Sequence, residues 1–100
     1  MVDLIKTQAF DDWLKSLKDS QARARITARV IRLETTSHAG DTKPVGDGVM
    51  EMRFDFSPGY RVYYIVLKHT VILLGGNKST QVSDIEKAKQ FATYWKGQKL

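Results

Sequence analysis

Between Met50 and Phe56 the chain alternates with a period of two: Met50, Met52, Phe54 and Phe56 are apolar, and Val49, Glu51, Arg53 and Asp55 interleave with them. Such alternation belongs to an extended strand with one face on a core, because successive side chains point to opposite sides. Ser57-Pro58-Gly59 then supplies a turn, and Tyr60 to about Lys68 forms a second run rich in β-branched and aromatic residues. A short Lys68-His69-Thr70 corner leads to a third run, Val71 to Leu74, apolar on both faces, as expected of a strand inside a sheet. A chain committed to this meander must lay its helices against the sheet.

Register decides what the two sheet faces carry, since a slip by one residue moves every side chain to the other side. An even pairing sum, for instance Asp55 opposite Arg61, keeps like with like. It predicts Glu51, Arg53, Asp55, Arg61 and Tyr63 on an open, charged and aromatic face, with Met52, Phe54, Val62 and Tyr64 packed against helices.

The helices are legible from their stripes. Phe10, Trp13, Leu14 and Leu17 follow the i, i+3, i+4, i+7 pattern after Thr7, a suitable N-cap. After a break at Asp19-Ser20, a second helix runs to about Glu34 with Ala22, Ile26, Val30 and Leu33 on one face. Its other side carries Arg23, Arg25, Arg29 and Arg32, which reads either as a solvated face or as a nucleic-acid or ribosomal contact. From Thr35 to Gly48 the composition shifts to Gly, Asp, Ser, Thr and Pro, predicting a loop. Ser83-Asp84-Ile85-Glu86 has the form of a capping box and opens a last helix with Ala88, Phe91, Ala92 and Trp95 as its apolar stripe and Gly97 as its stop. The expected fold is α+β, with two N-terminal helices packed on a small, mainly antiparallel β-sheet and a C-terminal helix. One hundred residues, 42% of them hydrophobic, suit one domain spanning 1–100.

Several chemistries are disfavoured. The chain has no cysteine, and only His38 and His69 could offer imidazole ligands, so neither a metal nor a cofactor is expected. Both histidines read as solvated residues. No apolar run approaches the roughly 20 residues of a membrane span, and the N-terminus lacks a signal-peptide segment, so a cytoplasmic protein is expected. Serines lack a Gly-x-Ser-x-Gly setting, and Gly75 to Gln81 lacks the spacing of a P-loop. Glu51 and Asp55 read as ion-pair partners of Arg53. What remains is a cationic cluster of Arg53, Arg61, Lys78 and Lys43 in a chain of net charge +5. Arginine is a flat, always-charged donor suited to phosphate, and cations around a scissile phosphate stabilise its transition state without a metal.

Three stretches make the sequence recognisable: Gly-Asp-x-Lys-Pro-Val-Gly-x-Gly-Val at Gly40 to Val49, the turn and strand from Ser57 to Tyr64, and Gly-Gly-x-Lys-Ser-Thr-Gln at Gly75 to Gln81. In this order they resemble the RelE/ParE superfamily of bacterial toxins, and within it the HigB-like addiction-module killer branch. The resemblance implies a toxin neutralised by a cognate antitoxin, a helix-turn-helix protein of the HigA type that represses the operon, so that operator DNA is reached only through the antitoxin. RelE-like members cleave messenger RNA on the ribosome, which makes the chain an expected mRNA endoribonuclease. Arg61 matches the arginine that contacts the scissile phosphate. Lys78 falls near a second catalytic cation and Arg53 near a basic residue of the preceding strand. Lys43, Tyr63, Arg25, Arg29 and Arg32 are the expected RNA contacts. Where RelE has two lysines on a strand, this chain has Glu51 and Arg53; where RelE has a tyrosine opening its last helix, it has Asp84 or Ile85. The resemblance also admits a ParE-like, non-enzymatic inhibitor of DNA gyrase.

Overall fold

The computed structural model describes residues 4–36 and 39–98, so His38 lies outside the described residues. The element order is β1 (Leu4–Lys6), α1 (Gln8–Ser16), α2 (Ser20–Thr36), β2 (Thr42–Gly46), β3 (Val49–Arg53), β4 (Tyr60–Val66), β5 (Thr70–Asn77), a 3-10 turn (Lys78–Thr80) and α3 (Gln81–Lys96). The strands form one sheet in the order β1-β5-β4-β3-β2, antiparallel except for the parallel β1–β5 pair. The expected α+β architecture, with α1 and α2 on one side of a mainly antiparallel sheet, is thus observed.

Thr7 does two jobs at the first helix. Its Oγ1 accepts from the Phe10 amide and caps α1. The same hydroxyl donates to the Leu73 carbonyl at 2.6 Å, fastening the helix start to β5. Asp19 opens α2 by accepting from the amides of Gln21 and Ala22. The apolar stripes of both helices meet Met52, Phe54, Tyr60, Val62, Tyr64 and Ile72 in one core. α3 covers the other face, where Ala88 and Ala92 pack on Val49, Tyr63, Ile65, Val71, Leu73 and Leu74.

The structure corrects five readings of the sequence. The stretch 35–48 is not all loop: β2 pairs with β3 through a two-residue turn in which Asp47 (φ 57°) and Gly48 (φ 81°) both adopt the left-handed conformation of a tight hairpin. Leu4–Lys6 forms an additional strand. Arg61 stands opposite Arg53 rather than Asp55, a slide of register by two that preserves which side chains share a face. β3 ends at Arg53 because Phe56 folds back to pack edge-on against Phe54 and Tyr60, and the connection closes by bonds from Phe54 to Tyr60 and from Gly59 to Phe56. Finally, α3 begins at Gln81, and Ser83 donates to the Thr80 carbonyl instead of forming a capping box with Glu86. The reciprocal cap belongs to Asn77 and Thr80 at the preceding turn.

Two consecutive glycines late in β5 let the layers close. A Cβ on Gly75 would lie 2.2 Å from the Trp13 ring of α1, and one on Gly76 would lie 1.8 Å from the Asp84 carboxylate of α3. Neighbouring strand positions face opposite sides, so each glycine admits one side chain from each helical layer.

Candidate functional site

The face expected to be open is covered by α3, and this changes the status of its polar residues. Glu51 is 0% exposed, Tyr63 0% and Arg61 8%. Tyr63 is therefore corrected from an RNA-facing side chain to a buried one: its hydroxyl donates to Glu51 Oε2 at 3.1 Å. Burial first, and the neighbouring Glu51 charge second, push the Tyr63 phenol well above its ordinary pKa, which keeps it a neutral donor.

Arg61 is held from several directions. Its Nη1 donates to the carbonyls of Gly59 and Tyr60, each at 3.1 Å, and its Nε lies 3.8 Å from Glu51 Oε1. The ion pair of Glu51 is thus with Arg61, not with Arg53 as read from the strand alternation. Glu51 is itself fixed through its other oxygen, which accepts from Tyr63 and, at 2.8 Å, from Gln81 Nε2 at the start of α3.

Beside this buried group lies a cleft of 320 Å³ lined by Phe54, Asp55, Phe56, Ser57, Pro58, Gly59, Arg61 and Lys78. Gly59 has φ +80°, a conformation that L side chains rarely adopt. Its bare Cα also lets Lys78 and Arg61 approach from the same side: a Cβ there would stand 3.3 Å from Lys78 Cβ and 3.6 Å from Arg61 Nη1. Lys78 is exposed and Arg61 is buried at its base. Of the four cations grouped from the sequence, Arg61 and Lys78 line this cleft together.

The other candidates fall into two groups. Arg53 is half-buried directly across the ladder from Arg61, and its Nε makes no hydrogen bond. Arg25 is exposed and sits 4.8 Å from the centre of the Phe56 ring, at the cleft rim. Lys43 is exposed on β2, opposite Glu51 and two strands away from Arg61. Arg32 is exposed on α2 and does not line the cleft. Arg29 is occupied: it stacks 4.4 Å from the centre of the Phe54 ring and donates to the carbonyls of Arg53, Ala39 and Asp41. Burial draws its pKa down, and its guanidinium pins α2 to the loop rather than offering itself to a ligand.

Sequence reasoning passed over the contributions of Glu51, Gln81 and Asp84. Asp84 is buried, accepts from Thr80 Oγ1 and rests on Gly76, the residue paired with Arg61. The observed register sets Glu51 opposite Tyr63, two positions away from the pairing expected from the sequence. Among the described residues there is no group of three or more His, Cys, Asp or Glu side chains able to hold a metal, and no helix long and apolar enough to cross a membrane. His69 lies in the tight turn between β4 and β5, where the Leu67 amide donates to its carbonyl.

Chemically, the cleft offers one buried, held guanidinium and one exposed ammonium, flanked by aromatic rings and an exposed carboxylate, Asp55. This is an arrangement suited to an anionic oxygen of a phosphodiester.

Comparison with known proteins gives three findings. The model of a family described as phage-derived and Gp49-like matches residues 12–93. An uncharacterized protein of Haemophilus influenzae is 44% identical over 96 residues, covering 91% of this chain and 93% of the relative. Among solved structures, the intact RelBE toxin–antitoxin complex of E. coli matches with a TM-score of 0.64 at 16% identity, over 77% of this chain and 96% of its counterpart. A mutant of the E. coli toxin RelE in the free state matches with a TM-score of 0.66 at 15% identity, over 89% and 94% respectively. At such identities the likeness to RelE is one of fold, and it bears out the RelE-like architecture expected from the motifs.

Proposed function

The chain belongs to the phage-derived, Gp49-like family, and from that membership and its RelE-like fold we propose that it is the toxin of a toxin–antitoxin pair, of the HigB-like kind, cleaving messenger RNA on the ribosome. The observation that carries the reading is the convergence of Arg61 and Lys78 on one cleft, with the guanidinium held in place by protein groups before any ligand arrives.

In this mechanism the messenger's 2′-oxygen attacks the adjacent phosphorus, the P–O5′ bond breaks, and the products are a 2′,3′-cyclic phosphate and a 5′-hydroxyl. The 2′-hydroxyl proton leaves to solvent and the 5′-oxygen gains one. Arg61 and Lys78 balance the charge that grows on the non-bridging oxygens, and Arg53 adds positive potential across the ladder. The ribosome supplies the alignment of 2′-oxygen, phosphorus and leaving oxygen. Arg25, Arg32 and Lys43, all exposed, are the RNA-binding candidates that fit; Tyr63 and Arg29 are withdrawn from that role by burial and by their backbone partners. A HigA-like helix-turn-helix antitoxin is the proposed partner, and operator DNA is reached through it alone.

The test must respect the burial of Arg61. Its removal to alanine would strand the buried Glu51 carboxylate, a change that costs roughly 3–5 kcal/mol of stability. Arg61→Lys keeps the charge, and Lys78→Ala alters an exposed residue. In a translation reaction with cleavage mapping, each variant is expected to lose about 100- to 1,000-fold in cleavage rate while retaining its thermal melt. Cleavage at the unaltered rate by both would overturn the reading. Intact messenger together with impaired gyrase supercoiling would transfer the protein to the ParE-like class.

A further inference from the structure

We propose that Glu51 is a positioning residue for Arg61, turning one nitrogen of the guanidinium outward to the substrate; this rests on the reading of Arg61 as the phosphate contact.

The three nitrogens of Arg61 meet different surroundings. Nη1 is tied to two carbonyls of its own strand start. Nε faces Glu51 Oε1 at 3.8 Å and makes no hydrogen bond. Nη2 takes no hydrogen bond among the described residues, and it belongs to a side chain that lines the cleft. The carboxylate is oriented in turn. Both hydrogen bonds to Glu51, from Tyr63 and from Gln81, converge on Oε2, which leaves Oε1 toward Arg61 with no hydrogen bond of its own.

Stability does not account for this arrangement. A buried ion pair gains little over a well-packed apolar pair unless its geometry and hydrogen bonding are good, and here the facing atoms are beyond hydrogen-bond distance. Nor is Glu51 a proton acceptor for a substrate, because its side chain is fully buried beneath α3. What remains is orientation: a charge fixed behind the guanidinium keeps its plane constant, so that no reorganisation is needed when a phosphate arrives. Because Gln81 begins α3, the docking of that helix is coupled to the aim of Arg61.

The experiment is Glu51→Gln, which retains an acceptor for Tyr63 and Gln81 but removes the charge and sets an amide against Nε. Two readouts are needed. In 15N NMR of the protein, the Arg61 Nε–Hε resonance, assigned by its absence from Arg61→Lys, is expected to shift while amides of the α1–α2 core do not. In single-turnover cleavage of ribosome-bound messenger, the rate is expected to fall about 10- to 100-fold with ribosome affinity unchanged. Gln81→Leu, altering a partly exposed side chain, is expected to move both readouts in the same direction by less, and serves if Glu51→Gln does not fold. An unmoved Arg61 resonance, or a moved resonance with unaltered cleavage, overturns the proposal. An unmutated protein that leaves messenger intact while Glu51→Gln still shifts the resonance sinks the ribonuclease reading instead and leaves the orienting contact standing.

Discussion

The two faces of the sheet are built to different ends. Toward α1 and α2 the interior is almost wholly apolar, with Phe10, Ile26, Val30, Leu33, Met52, Phe54, Val62 and Ile72 interlocking. Its arginines stay at the edge, where Arg25 and Arg29 lie over aromatic rings. Toward α3 the helix contributes only alanines at its most buried apolar positions, and near its first turn the interior holds Glu51, Arg61 and Asp84. Both faces are packed, but only the α3 side also accepts desolvated charge and holds it still. The lesson is a difference in what each side of a single sheet tolerates: the α1–α2 side is packed almost without charge, whereas the α3 side combines an apolar cluster with desolvated charge near the helix's first turn.

The strongest way to break this comparison is Ile26→Ala. A fully buried branched side chain lost from the apolar face is expected to cost about 2–5 kcal/mol in denaturant unfolding, without moving the Arg61 Nε resonance. A loss below about 1 kcal/mol, the scale of a single net hydrogen bond, would mean that the α1–α2 face is not where the energy lies. A smaller effect sharpens the other side. Tyr63→Phe is expected to cost about 1 kcal/mol near neutral pH, since Glu51 Oε2 keeps its bond from Gln81. Its pH dependence is the more telling measurement. The folded protein holds the Tyr63 pKa above the ordinary 10.0, so this group's contribution to stability is complete below that value and is lost as pH rises beyond it. Tyr63→Phe should flatten the alkaline decline, leaving the part due to Tyr64, whose pKa burial also raises; an unchanged slope would show that Tyr63 does not titrate from a buried site. The smallest effect belongs to Arg25→Ala, an exposed cation over Phe56, at about 0.5–1 kcal/mol by thermal melt. A larger loss would place stability outside the apolar core.

Much of this was readable because the informative periodicities are local. The stripe after Thr7, the stripe from Ala22 to Leu33 and the alternation from Met50 each encode a face within a few residues, and the elements follow them, β3 as far as Arg53. β1 escaped notice because Leu4-Ile5-Lys6 carries no pattern of its own and becomes a strand only beside Thr70–Ile72. β2 was hidden by Pro44 and the flanking glycines, although Asp47-Gly48 is a strong hairpin signal. The Ser83–Glu86 pattern was chemically adequate as a cap, yet β5 runs on through Gly76, and Asn77 and Thr80 cap the turn earlier. At the site, Arg61 and Lys78 stood out through their motifs. Glu51 and Gln81 did not, because whether a strand face is open or roofed depends on where a helix thirty residues later comes to rest.

The parallel seam between β1 and β5 also sets a timetable. Leu4 and Ile5, made well before their partners, pair only when Thr70 and Val71 have been added, and Lys78 and Gln81 follow later still. A nascent chain that has reached the end of β4 already contains Arg61, but β4 then lacks one of its two neighbours and the guanidinium lacks the helix that steadies Glu51. Closing so long a loop is slow compared with forming the hairpins inside it. The cleft is thus among the last parts of the molecule to come into being, because Lys78 and the helix that steadies Glu51 are added only after Arg61.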